Sequence, residues 1–171
     1  MYGTPIFFAQ LSTSTTNWTV TGIPQGYKHL EIMFGVRTDF AFHGPQFRWS
    51  FNNESGTNTH YAAMNDSDGF VYGPEAGSFR KRAIIRGDGP ANMFVLYKTF
   101  VPNYSSTSIK KTIMDQHVGP FGDPLGATPN SAIEANCFDN TTALSSIQFQ
   151  DNSGSTLSAG SWVHIYGLGS S

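Results

Sequence analysis

The chain has 171 residues and a formal net charge of −2: room for one sandwich-sized domain, and too near neutrality for a protein built around nucleic acid or an anionic membrane. Charged residues make up 13%, about half the ~25% of ordinary soluble domains, while aromatics reach 14%. So thin a charged surface leans toward a subunit packed into an assembly.

The opening MYGTPIFFAQLSTSTTNW lacks a basic n-region and a long apolar core, so no signal peptide is expected. No run approaches the ~18 apolar residues of a membrane helix. Synthesis in the cytoplasm follows, which makes the sequons at Asn17, Asn53, Asn65, Asn103 and Asn140 chance products of an Asn/Ser/Thr-rich chain.

In chain order, PIFFAQL reads as a first strand, and NWTVTGI sets Trp18 and Val20 against Thr19 and Thr21. HLEIMFGVR alternates more cleanly, with Leu30, Ile32, Phe34 and Val36 on one face and His29, Glu31 and Arg37 on the other. QFRWSFN repeats the pattern with Phe47, Trp49 and Phe51. Period two over seven residues predicts strands. NTHYAAMN has the composition for a short helix. FRKRAIIR, NMFVLYKTF, SIKKTIMDQH, SAIEANCF, ALSSIQFQ and SWVHIYGL complete about ten strands. The Gly/Pro-rich stretches TDFAFHGP, SDGFVYGPEAGS and HVGPFGDPLGATPNS read as long loops. Ten strands without helices predict an all-β fold: one antiparallel β-sandwich domain over 1–171, jelly-roll-like, with long Gly/Pro-rich loops.

Candidate chemistry is sparse. The four Glu (Glu31, Glu54, Glu75, Glu134) fall in different segments, and nothing in their spacing pairs an acid with a base. The five His are isolated, and neither a phosphate loop nor a nucleophile elbow occurs. NDSDGFVYGPE places Asp66, Asp68, Gly69 and Glu75 at calcium-loop spacing, but Met64 stands where the first ligand belongs, so a turn is the better reading. The single Cys137 excludes an internal disulfide and is expected to be a small buried hydrophobe. No cofactor and no metal site is expected.

Two surface features stand out. In an extended RKRAIIR, Arg80, Arg82 and Arg86 share a face. The stripe is either a solvated edge that blocks strand pairing or a contact for carboxylates of a partner protein. In GSWVHIYGLG both registers are apolar: Val163 and Ile165 on one side, Trp162, His164 and Tyr166 on the other. With the first pair in the core, the second face needs a cover, either a neighbouring subunit or a loop of the same chain.

The C-terminal third carries Thr142, Ala143, Ile147 and Phe149, then a polar loop, then Gly160, Ser161, Ile165, Tyr166 and Gly167. This resembles a recurrent pattern of tailed-bacteriophage virion structural proteins. The opening is similar too: a Trp-bearing strand, GIPQGYKHLEI, then a strand running into Phe51-Asn52-Asn53-Glu54-Ser55-Gly56. Residues 70 to 130 match more loosely. The resemblance implies a jelly-roll-like sandwich in the virion, assembled in the host cytoplasm and without enzymatic activity. It supplies no catalytic residues to carry over. Members serve as capsid decorations, head fibres and tail fibres.

Decoration is the leading expectation: a cement subunit, homotrimeric, bridging the major capsid protein. The chain leaves no room for a fibre attachment segment beyond its first strand, and its charge content is low. The alternative is a tail-fibre or receptor-binding module that grips host polysaccharide through Trp162, His164 and Tyr166.

Overall fold

A computed structural model describes residues 3–39, 47–53, 59–65, 69–75, 79–81, 92–120, 129–151 and 155–170. Twelve strands are present among them. They are β1 (Thr4–Gln10), β2 (Asn17–Thr21), β3 (Tyr27–Val36), β4 (Phe47–Phe51), β5 (Thr59–Asn65) and β6 (Gly69–Glu75). The rest are β7 (Phe79–Lys81), β8 (Val95–Pro102), β9 (Lys111–Pro120), β10 (Pro129–Phe138), β11 (Ser146–Asp151) and β12 (Trp162–Ser170). The protein is an all-β antiparallel sandwich, as the alternation predicts. One sheet has eight strands in the order β1-β12-β3-β8-β9-β10-β5-β6, the other four in the order β2-β11-β4-β7.

The pairing is nested. β1 pairs with β12, β2 with β11, β3 with β8 and β4 with β7, as in one long hairpin rolled up on itself. Two further hairpins, β5–β6 and β9–β10, extend the larger sheet beyond β8.

The core lies between the sheets, and the predicted apolar faces build it. Leu30, Ile32, Phe34 and Val36 of β3 are buried, as are Phe47, Trp49 and Phe51 of β4 and Ile147 and Phe149 of β11. Phe34 is the hub. Its ring stacks on Tyr97 at 4.8 Å and meets Phe149 at 5.1 Å, Phe47 at 5.7 Å and Trp49 at 6.1 Å. Burying such a side chain contributes about 1.5–3 kcal/mol before packing is counted. Asn52, at φ 51°, takes the left-handed conformation that Asn tolerates. Its side chain accepts from the Ser145 and Ser146 amides and donates to the Ala143 carbonyl, fixing the end of β4 to the approach to β11.

Three expectations are corrected. NTHYAAMN is not a helix; its last seven residues form β5, paired on one side with β10 and on the other with β6. Seven residues are too few for a stable helix, whereas two ladders satisfy their backbone. SDGFVYGPEAGS is not all loop, because Gly69–Glu75 form β6. The third long loop is shorter than it reads, since β9 runs to Pro120 and β10 begins at Pro129.

Candidate interaction face

Successive residues of a strand alternate between faces, and directly paired residues share one. The outward row therefore follows from the register: Phe8, His164, Met33, Lys98, Gln116 and Ile133 lie side by side across β1, β12, β3, β8, β9 and β10. A parallel row on one side holds Gln10, Trp162, Gly35, Leu96, Val118 and Ser131. On the other side runs Tyr166, Glu31, Phe100, Met114 and Ala135.

Much of this face is apolar and open to solvent. Phe8 is 59% exposed, Val118 54%, Met114 53%, Ile133 49% and Leu96 46%. An antiparallel sheet with a free face normally turns polar residues to water. The β9–β10 hairpin does the reverse. Its inward residues include Lys111, Asp115, His117 and Asn136, all buried, while Met114, Val118 and Ile133 point out.

The three residues singled out on the C-terminal strand lie together here, each half-buried. Trp162 meets His164 edge-on at 5.2 Å, and His164 stacks on Tyr166 at 6.3 Å and leans on Phe8 at 4.4 Å. The Trp162 ring lies over Gly35, so close that a Cβ there would come within 2.5 Å of the indole nitrogen. These rings thus cover one another in part, and the strand next door supplies a glycine to seat the largest. Beside them a shallow groove of about 640 Å³ runs over β8–β10, with Leu96, Lys98, Val118 and Ile133 in its lining. Lys98 is held by Glu31 at 2.9 Å.

Behind this face, on the core side of β8–β10, is a polar cluster invisible in the sequence. Asp115 and Glu134 are direct cross-strand partners. Asp115 accepts hydrogen bonds from the Thr99 hydroxyl and, at 2.8 Å, from the Asn136 amide. His117 lies 4.0 Å from Glu134. Burial first, then the charges of Glu134 and Asp115, push the Tyr97 hydroxyl well above the usual tyrosine range. Asp115 has no exposed surface and His117 little. This is the geometry of a sealed network that holds three strands in register. No group of three or more acidic, His or Cys residues among the described residues is arranged to hold a metal ion.

Lys111 is also fully buried, with its ammonium donating to the carbonyls of Ser106 at 2.6 Å, Ile109 at 2.8 Å and Thr141 at 2.7 Å. It ties the loop before β9 to the loop before β11. Desolvation lowers its pKa.

Of the basic stripe, Arg80 lies in β7, paired with Arg48 across the ladder at one edge of the smaller sheet. Arg82 and Arg86 lie outside the described residues. So do Asp66 and Asp68 of the calcium-like spacing, while the adjoining strands pair with Asn65 opposite Gly69. Cys137 departs from expectation: it is half-buried and on the outward face of β10, because the inward positions there belong to Ala132, Glu134 and Asn136.

Sequence reasoning missed most of the outward face. One signal was present. NMFVLYKTF is apolar in both registers, Phe94, Leu96 and Phe100 against Met93, Val95 and Tyr97, just as the C-terminal strand is. No protein-family model, no curated protein and no solved structure matches the chain.

Proposed function

We propose that this protein is a non-enzymatic structural subunit of a tailed-bacteriophage virion, and that it works as a capsid decoration binding copies of itself and the major capsid protein. The apolar outward face of the eight-stranded sheet carries the reading, since a face of that character is kept by proteins that cover it. The nested strand order supports a jelly-roll architecture: β1, β12, β3 and β8 on one side, β2, β11, β4 and β7 on the other, with two added hairpins. The likeness at both ends of the chain to virion proteins supports the setting, and the low charge content supports assembly. Arg80, Arg82 and Arg86 are then candidates for contact with acidic groups of the capsid.

The half-exposed rings of Trp162, His164 and Tyr166 favour one second reading, a receptor-binding module that stacks host polysaccharide on them. Copy number separates the two. Quantitative densitometry of purified virions against the major capsid protein should return a ratio of the same order for a decoration, and particles stripped of this subunit should burst at lower temperature. A few copies per particle, with stripped particles intact but unable to adsorb, would overturn decoration in favour of the receptor-binding reading.

A further inference from the structure

We infer that the occupant of the outward sheet face is the same face of a second copy, related by a two-fold axis running along β3. This deepens the assembly reading above and rests on it. Three observations select this partner.

The first is charge. Among the described outward side chains of β1, β12, β3, β8, β9 and β10, the charged ones are Glu31 and Lys98, and they neutralise each other within the chain. A two-fold contact sets the patch against its own copy, so any net charge on it would repel itself. Glu31 and Lys98 leave none.

The second is shape. The most exposed large hydrophobic among the described residues, Phe8, stands on β1, two strands to one side of β3, and the groove is centred near β9, two strands to the other side. A two-fold along β3 lays β1 of each copy over β9 of its mate. Phe8 and Gln116 occupy the same outward row, so the axis carries Phe8 into the groove between Leu96, Val118 and Ile133. Both knobs and both grooves are then filled at once, which is the self-complementarity an isologous contact requires.

The third is size. Across that axis five strands ~4.8 Å apart overlap, and with the three outward rows ~6.8 Å apart they span roughly 490 Å² per copy, about 1,000 Å² for the pair, the size a specific interface must reach. The apolar outward side of β9 is then covered: Met114 and Val118 become part of the interior of a second sheet-on-sheet core.

The test is cross-linking in the full chain. In a Cys137→Ser background, Phe8→Cys and Gln116→Cys lie four strand steps apart in one chain, ~19 Å, beyond a short bismaleimide. Across the proposed axis they face each other at the ~10 Å of packed sheets. The double variant should give covalent dimers and nothing larger, neither single variant should cross-link, and light scattering of the wild type should return twice the 18.7 kDa chain mass. Ile133→Lys, at an exposed site that leaves the fold intact, should weaken self-association at least tenfold. Covalent trimers would replace the two-fold with a ring. A mass of 18.7 kDa at micromolar concentration, or a dimer that does not cross-link, would overturn the pairing. Virion copy number is measured separately, so many copies of a protein that is monomeric in solution would reject this inference and leave the decoration reading standing.

Discussion

Gly35→Ala tests whether Trp162 is seated as the structure has it. Gly35 is buried in β3 directly opposite Trp162, and a Cβ there would stand 2.5 Å from the indole nitrogen and 2.7 Å from Cε2. Both are atoms of the rigid indole ring, so the indole must leave its seat. Overpacking of this kind costs about 1–3 kcal/mol. For a chain of this length each kcal/mol lowers Tm by roughly 2–4 °C. With Trp162→Ala as background the obstacle is gone, and alanine should then be better than glycine in a strand by about 0.5–1 kcal/mol. The double-mutant cycle therefore predicts a change of sign: Gly35→Ala destabilises the wild type and slightly stabilises the Trp162→Ala protein. Denaturant melts of the four proteins measure it. Equal losses in both backgrounds would refute the reasoning and locate the cost in the β3 backbone instead.

Lys111→Met keeps the length of the stem and removes the donor from three backbone carbonyls. Stability should fall by about 1–3 kcal/mol in urea melts, with the loops before β9 and β11 gaining hydrogen exchange first. An unchanged midpoint would mean that water replaces the ammonium. Tyr97 predicts an alkaline limb. Its folded pKa lies above the unfolded 10.0, so its share of stability is complete below pH 10 and is lost as pH rises from there toward the folded value. Tyr97→Phe should lose stability less steeply above pH 10, by up to about 1.4 kcal/mol per pH unit. Part of the slope should remain through Tyr104, whose pKa burial also raises. Identical slopes in both proteins would remove Tyr97 from the account.

The strands of the inner core were legible because their alternation has one solution. In HLEIMFGVR and QFRWSFN only one register is apolar, so period two determines the strand and its buried face together, and Leu30, Phe34, Phe47 and Trp49 are where the sequence puts them. The C-terminal strand was half legible: Val163 and Ile165 are buried as read, and the second apolar face announced a surface that needs covering. The β9–β10 hairpin was not legible. Met114, Val118 and Ile133 alternate with Asp115, His117 and Glu134, and the rule that buries the apolar register would turn the wrong set inward. Tertiary structure decided the matter, by placing β9 and β10 beside β8, where Thr99 and Asn136 supply donors for Asp115 and the polar set is satisfied inside. The same holds for Lys111 and for the pairing of Asp115 with Glu134. Hydrogen-bond partners 16 to 30 residues away are set by strand order, and strand order is a property of the whole sheet, not of any one segment.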